Sequence, residues 1–544
     1  MKIGLISPHP DVIAFGLRSL SACLKKAGHD VKLIFLAREF YKKFGDRVLE
    51  DTVEVLRDVD LVGLTLMTNF FDNSIQITQK LKKGLGVPVV WGGVHPTIRP
   101  EECLDYADIA FVGEGEEKFV ELVKRMENGE DYHDLEGVCF REQGELIINK
   151  GAPIVENLDA VPFQDIDYES HYIAKKNSLV KMTLDDMNSC SGGEYNTMPT
   201  RGCPFACTFC VNDHLNKMNA GQPIIRNRSM DNVIEELVQA KKKLPYIESI
   251  YFDDDAFIML QKEEIKEFCD GYKERVKLPF YVGGITPTTL QREKLAMLVD
   301  AGVNSISMGI QSGNESTKAD YKRKYSNQRV QKAAALMNEF KDQVGPPHYG
   351  IILDNPWETD EELRETLMFL TTLPSPFSIG LFSLTFYPGT GLYDQAKADG
   401  LIKDDLNDVY RKLYGGSGVS KTYFNRVFFL LEASWGNIST KTMSLLLNKT
   451  LMRLKLNWPL YWAFRTKHTH PVRLISKGLR AVRRREVWRI TRWFYSWFGQ
   501  KTPSAWMPFE GSLDNLVASF SKERTAKNEY GYMEPAGGIK PPTY

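Results

Sequence analysis

Along the first 150 residues, short unbroken apolar runs alternate with stretches in which apolar side chains recur every three to four positions. Lys2–Ser7 predicts a strand, Phe15–Lys26 a helix and Val31–Phe35 a second strand. Leu61–Leu66 precedes a helix near Asn73–Lys82, and Val87–Trp91 and Ile109–Val112 each lead into another helical segment. Pro88 is tolerable near a strand's start, where a ladder donor is dispensable. Continuous apolar strands alternating with helices predict a parallel, doubly wound α/β sheet, whose ligands bind beyond the carboxyl ends of the strands.

Residues 151–195 read as a linker, broken by Pro153, Pro162 and Ser191-Gly192-Gly193. Residues 196–410 resume the alternation. Six strands are expected near Thr197–Thr200, Ser249–Asp253, Phe280–Gly283, Ser305–Gly309, Tyr349–Leu353 and Ile379–Phe386, with helices such as Asp231–Lys243 and Arg292–Ala301 between them. Six β/α units make a partial, open TIM-type (β/α)6 barrel with its function at the C-terminal strand ends. Residues 411–544 read as a mainly α, basic, tryptophan-rich region ending in a Gly/Pro-rich tail, Thr525–Tyr544. Between Met452 and Phe498 there are twelve Lys/Arg and one acidic residue, Glu486, interleaved with Trp458, Trp462, Trp488, Trp493 and Trp497. From Arg473 to Phe498 the apolar residues recur at roughly helical spacing, a pattern of membrane-surface helices. Packing on the barrel and binding of a polyanion are the alternatives for residues 452–498.

Composition narrows the picture. The chain has 544 residues, 69 basic and 70 acidic, and 43% hydrophobic content, so it is a multidomain globular protein and no polyelectrolyte. Its apolar opening is too short for a signal peptide, and no apolar run approaches the ~18 residues of a membrane span. Eight cysteines in a long chain without a secretory signal imply a reducing compartment. The expected location is cytoplasmic, with a peripheral membrane contact as one alternative.

The chemistry concentrates in one loop, Thr200-Arg-Gly-Cys203-Pro-Phe-Ala-Cys207-Thr-Phe-Cys210. Three thiolates at C-x3-C-x2-C spacing can hold three irons of a [4Fe–4S] cluster that normally takes four cysteines, leaving one iron open. A Cys3His zinc site ending at His214 is the alternative, although its ligands would be crowded for zinc. Elsewhere, Gly63-Leu-Thr65-Leu-Met67, Gly92-Gly93 and Gly113-Glu114-Gly-Glu116 follow predicted strands, where glycines let backbone approach a planar ligand.

The cysteine loop and its aromatic fillers resemble the cluster loop of the radical S-adenosylmethionine (SAM) enzymes, in which SAM chelates the fourth iron. The N-terminal loops resemble a Rossmann-like (flavodoxin-like) cobalamin-binding domain, residues 1–150. Its D-x-H-x-x-G, S-x-L and G-G motif is matched by Asp11-Val-Ile13-Ala-Phe-Gly16, Thr65-Leu-Met67 and Gly92-Gly93. Ile13 stands where the cobalt-ligating histidine would be, which leaves the lower cobalt face bare or water-bound. A flavodoxin-like domain without this cofactor is the alternative. The resemblance assigns Cys203, Cys207 and Cys210 to the cluster and Phe209, Asp254, Asp255, Ser312, Arg323 and Tyr387 to SAM. It assigns Asp11, Ile13, Gly16, Thr65, Gly92, Gly93, Gly113 and Glu114 to cobalamin. Arg226-Asn-Arg228-Ser229 also resembles cobalamin-binding members. Gln311 and Asp354-Asn355 depart from the pattern, replacing a carboxylate and a glycine.

What the resemblance implies is a cobalamin-dependent enzyme that reductively cleaves SAM to a 5′-deoxyadenosyl radical and methylates an unactivated carbon through methylcobalamin. Oxidative cyclisation or rearrangement without methyl transfer is a second reading, and a non-catalytic cobalamin and iron–sulfur sensor a third. The implied partners are a small-molecule or lipid-like substrate and an electron donor such as flavodoxin or ferredoxin. Nucleic acid is not expected.

Overall fold

A computed structural model describes residues 1–38 and 42–469, with side chains omitted for 464–469. The N-terminal strands are β1 (Lys2–Ser7), β2 (Asp30–Phe35), β3 (Leu61–Thr65), β4 (Val89–Gly92), β5 (Ile109–Phe111), β6 (Val138–Glu142), β7 (Glu145–Ile148), β8 (His171–Lys175) and β9 (Ser178–Lys181). They form one sheet in the order β7-β6-β5-β4-β3-β1-β2-β8-β9. Its centre, β5-β4-β3-β1-β2, is parallel, as the apolar runs predict. Its wings are not: β6 and β7 add antiparallel beyond β5, and β9 pairs antiparallel with β8. The segment 151–195 is therefore more than a linker. β8 joins β2 in parallel register, with Leu33 opposite His171, and so extends the N-terminal sheet. These strands are four and five residues long, and the free edge of β2, rather than their own periodicity, selects them.

The same segment ends in the helix Leu184–Ser191, set by a Thr183/Asp186 capping box and stopped by Gly192 in the left-handed conformation. The second sheet follows. β10 (Glu194–Thr197) opens it, the short antiparallel ribbon β11 (Thr200–Arg201) and β12 (Arg226–Asn227) stands at its mouth, and β13 (Ser249–Phe252), β14 (Phe280–Ile285), β15 (Val303–Gln311), β16 (His348–Leu353) and β17 (Ser378–Ser383) complete it. The order β10-β13-β14-β15-β16-β17 is parallel throughout, and β10 and β17 do not pair, so the barrel is open. The first strand lies three residues earlier than expected, because Pro199 cannot donate to the β13 ladder.

Helices Tyr423–Ala433, Thr440–Leu446, Lys449–Arg453 and Asn457–Thr469 then pack outside β17 and the helix Asp360–Leu370. Most of the basic segment 452–498, its apolar stripe and the tail lie outside the described residues. No helix among those described is long and apolar enough to cross a membrane. One apolar cluster runs from Trp91 and Leu66 of the first sheet to Phe386, Leu392 and Tyr410 beyond the second. The carboxyl ends of the two sheets are thereby held against each other.

Candidate functional site

The cysteine loop leaves β11 through Gly202, at φ +95, where a Cβ would lie 1.8 Å from the Ile224 carbonyl oxygen. Only glycine fits there. The loop is folded by a turn from Cys210 N–H to the Cys207 carbonyl (3.0 Å) and by Asn216, which donates to the Cys203 carbonyl (2.8 Å). Cys207 is buried, and Cys203 and Cys210 are half-buried. Burial pushes the Cys203 thiol up to about 11 and that of Cys210 to about 12, with Asp255 and the other thiols adding to the shift. A cluster must displace those protons on binding.

His214 stands apart from the thiols. It packs against Gly389, and its charged neighbours are Lys217, Asp394 and Asp213. Among the described residues no three His, Cys, Asp or Glu side chains converge as a set that could hold a single ion.

Arg323, expected at SAM, reaches the cysteine loop. Its guanidinium donates to Cys207 Sγ (3.3 Å), the Gly309 carbonyl (3.3 Å) and the Tyr325 hydroxyl (3.2 Å), over the Phe205 ring. Gly309 makes this possible, since a Cβ there would lie 3.0 Å from Arg323 Nη2 and 2.6 Å from Gln311 Nε2. Gln311 itself sits at φ +68, where the β15–β16 register shifts. Asp255 also faces the cysteines. It accepts from Asn212 (3.0 Å), and burial, followed by the charge of Asp254, pushes its carboxyl up to about 7. Phe209 packs edge-on against Tyr321 at 5.3 Å.

Three expected SAM residues are engaged elsewhere. Asp254 accepts from Thr200 Oγ1 (2.7 Å), Ala256 N–H (2.8 Å) and Phe257 N–H (2.7 Å) at Oδ1 and from Thr200 N–H (2.6 Å) at Oδ2, so it anchors the strand before the cysteines. Ser312 is buried against Thr366 Oγ1 (3.0 Å) and accepts from Asn314 N–H (3.1 Å). The Tyr387 hydroxyl donates to Asn69 of the first domain (2.7 Å), whose amide in turn donates to the Tyr410 carbonyl (2.8 Å). Periodicity could not reveal Thr200, Thr366 and Asn69 as partners, because each lies far away in sequence.

Between the two sheets lies a cavity of about 520 Å³. Gly16, Thr65, Gly92, Gly93, Gly113 and Glu114 line it from one side, and Met198, Arg201, Gly202, Asn212 and Asn216 from the other. Leu5, Leu17, Leu20, Val90 and Phe119 supply an apolar part of its wall. At Gly16 a Cβ would meet nothing within 4 Å, and at Gly92 only Phe111 at 3.9 Å, so there the missing side chain keeps space open. Gly93 and Gly113 have a different reason: at φ +101 and +98, their Cβ atoms would strike Thr65 Oγ1 at 2.9 Å and the Ala152 carbonyl at 2.5 Å.

Asp11 and Ile13 are not among the lining residues. Asp11 accepts from Ile13 N–H (2.9 Å), and Ile13 is buried in the core. Glu114 lines the cavity but is ion-paired with the barrel. Arg226 grips both its oxygens (2.7 and 2.9 Å), Arg201 approaches at 3.4 Å, and Val155 N–H donates to it at 2.7 Å. Burial alone would raise its carboxyl; the two arginines outweigh that and hold it below the usual range. Glu116 pairs with Arg201 at 2.6 Å. In Gly113-Glu114-Gly115-Glu116 the glutamates thus bolt the first domain to the residues flanking the cysteine loop. Spacing alone does not show the interdomain pairing of Arg201 and Arg226 with Glu116 and Glu114, nor that Arg201 and Asn212 line the cavity.

A thiol loop at the mouth of an open six-stranded barrel, facing a glycine-walled cavity in a flavodoxin-like domain, defines the class: a cluster-type barrel set against a corrinoid-type domain. Residues 1–123 match the family model of the B12 binding domain and residues 197–370 that of the radical SAM superfamily, together more than half of the chain. The chain belongs to the radical SAM enzymes that carry a B12-binding domain, and its cofactors are a [4Fe–4S] cluster, SAM and cobalamin. It is 27% identical to an uncharacterised methyltransferase of Pyrococcus horikoshii, over 71% of this chain and 79% of that protein. It is 26% identical to bacteriochlorophyllide d C-8(2)-methyltransferase of Chlorobaculum tepidum, over 68% and 75%. The radical SAM methyltransferase TsrM of Kitasatospora setae, solved with cobalamin and a [4Fe–4S] cluster bound, superposes with a TM-score of 0.58 at 17% identity, over 73% of this chain and 78% of that one. At that identity the likeness is one of fold. The residues present fit these groups: three thiols on one loop, a guanidinium beside them, and an open glycine-walled cavity next door.

Proposed function

We propose that the enzyme methylates an unactivated carbon of a small-molecule or lipid-like substrate. The observation that carries the reading is that Arg201 and Gly202, which lead into Cys203, line the same cavity as Thr65, Gly92 and Gly93. Methyl donor and radical source would then share one water-poor space. With its cofactors bound, such a site supplies a carbon-centred radical on the substrate and a transferable methyl group.

In this reading Cys203, Cys207 and Cys210 hold the cluster, with Arg323 beside it. Asp255 and Phe209 are the remaining candidates for SAM contacts. Gly16, Thr65, Gly92, Gly93 and Gly113 border the cobalamin. Residues 1–150 with the strands at 171–181 form the cobalamin domain and 196–410 the barrel. An electron donor such as flavodoxin or ferredoxin would reduce the cluster. A tetrapyrrole or other lipid-like substrate agrees with the bacteriochlorophyllide-methylating relative and with the basic, tryptophan-rich composition of residues 452–498. The same composition suits a peripheral contact with a membrane.

The test is anaerobic reconstitution with iron, sulfide and cobalamin, followed by reductant, methyl-deuterated SAM and separate lipid and polar extracts. A product carrying the deuterated methyl group is the expected result and identifies the substrate class. Abundant 5′-deoxyadenosine with an unlabelled, altered product would replace methyl transfer by cyclisation or rearrangement. No 5′-deoxyadenosine from protein with both cofactors bound would favour the sensor.

A further inference from the structure

His9 leaves β1 between two prolines, Pro8 and Pro10, and lies in the wall of the interdomain cavity. Each proline fixes its own φ and lacks an N–H, which stiffens the turn and sets where the imidazole sits. The ring is held by carbon rather than by hydrogen bonds. It packs on Phe70, with centroids 4.7 Å apart, and only the His9 backbone N–H is engaged, by Ser7 Oγ at 3.3 Å. His9 is 6% exposed, and neither ring nitrogen has a hydrogen-bond partner.

The other deeply buried histidines differ. His29 Nδ1 meets the terminal amine at 3.2 Å, and His95 meets Thr68 at 3.1 Å and Glu102 at 3.0 Å; His171, like His9, has no hydrogen bond at either ring nitrogen, but its Nε2 faces the Asp165 carboxylate at 3.4 Å. Leaving a buried polar group unsatisfied is costly, and a phenyl ring on Phe70 would avoid that cost altogether. An imidazole kept here without a partner implies one that the chain does not supply. Burial also pushes His9 down to about 4, so the ring is neutral at pH 7 and keeps a free lone pair, the form that binds metals.

We propose that His9 is the nitrogen ligand to the cobalt of the bound corrinoid, taking the part for which Ile13 is chemically unable and, in this fold, misplaced. The inference rests on the cobalamin site proposed above. It replaces the bare or water-bound lower face with a protein nitrogen from the same β1 loop, four residues earlier in the chain. Imidazole suits divalent first-row metals, which favours such a bond once the corrinoid is seated.

The test reads the cobalt directly. The full chain is reconstituted anaerobically with cobalamin, desalted, and reduced to the cobalt(II) state. Its electron paramagnetic resonance spectrum is recorded for protein with ordinary histidine and with histidine ¹⁵N-labelled in the ring. Expected is a three-line nitrogen splitting on the cobalt lines that becomes two-line on labelling, because only a protein histidine changes with the label. His9→Asn and His9→Phe should retain bound corrinoid by optical absorption and lose the splitting. No nitrogen splitting in protein with cobalamin bound, or a triplet indifferent to the label, overturns the inference while leaving the cobalamin site intact. A label-sensitive splitting that survives in His9→Asn assigns the ligand to another histidine and overturns it equally. Protein that takes up no cobalamin removes the site and the inference together. The isotope comparison needs no variant, so a misfolded mutant does not block the decision.

Discussion

Asp254→Asn separates an anchor from a SAM ligand. In the native site four donors hold the carboxylate: the Thr200 hydroxyl and the Ala256 and Phe257 N–H groups at Oδ1, and Thr200 N–H at Oδ2. Asparagine keeps one acceptor oxygen, which can continue to serve the Ala256 and Phe257 N–H groups. Its amide nitrogen then faces Thr200 N–H, donor against donor. The Thr200 hydroxyl shares the retained oxygen, but the buried N–H loses its acceptor, and an unpaired buried donor costs about 1–3 kcal/mol. We take about 2 kcal/mol. At about 2–4 °C per kcal/mol for a domain of barrel size, the expected fall in Tm is about 4–8 °C. Thr200 lies three residues before Cys203, so iron retained per protein after reconstitution and desalting should fall with it. Asp254→Ala, which removes all the acceptors, should do worse on both counts. The measurements are thermal unfolding of the cluster-free protein, iron content, and SAM affinity by calorimetry. The reasoning is refuted if Asp254→Asn keeps its Tm and its iron yet binds SAM tenfold more weakly, because that is the behaviour of a direct contact.

Replacing Cys203, Cys207 or Cys210 singly with alanine should remove most bound iron and reduce 5′-deoxyadenosine formation to background, read by iron assay and mass spectrometry. Arg226→Leu should cost about 3 kcal/mol, in the range for breaking one side of a largely buried ion pair. Cobalamin retention on desalting should drop with it, and Glu114→Gln should be milder because the amide oxygen can still accept from Val155 N–H. Gly202→Ala should cost about 1–3 kcal/mol from the positive φ alone, and the clash with the Ile224 carbonyl should prevent the cysteine loop from closing, read as lost cluster absorbance. Stability should fall on acidification from pH 6.5 towards 4. His348 is held down to about 4 by burial, so the unfolded chain takes up its proton first. That shift corresponds to about 3 kcal/mol lost below pH 4, and His348→Leu should flatten this part of the Tm–pH profile.

What the linear chain determines here is whatever depends on neighbours within a few residues. The parallel centre of the first sheet and the six barrel strands follow from apolar runs of the right length, and the cysteine loop follows from spacing alone. The periodicity of Phe15–Lys26 yields that helix with both its ends, since Lys25 and Lys26 already mark its last turn. Short strands escape such reading: His171–Lys175 and Ser178–Lys181 became strands because the edge of β2 was available to pair.

The division is sharper in the site. Adjacent aspartates look interchangeable in sequence, yet Asp254 is held by donors from two strand ends while Asp255 acts on the charge of Cys203 and Cys210. Glu114 sits in a glycine-rich strand-end loop that reads as a cofactor contact, and Arg226, 112 residues further on, converts it into a bolt between domains. Motif and periodicity report which chemistry is present. Which group remains free to perform it is decided by long-range hydrogen bonds and ion pairs, which form only when both sheets have packed and have no counterpart in local spacing.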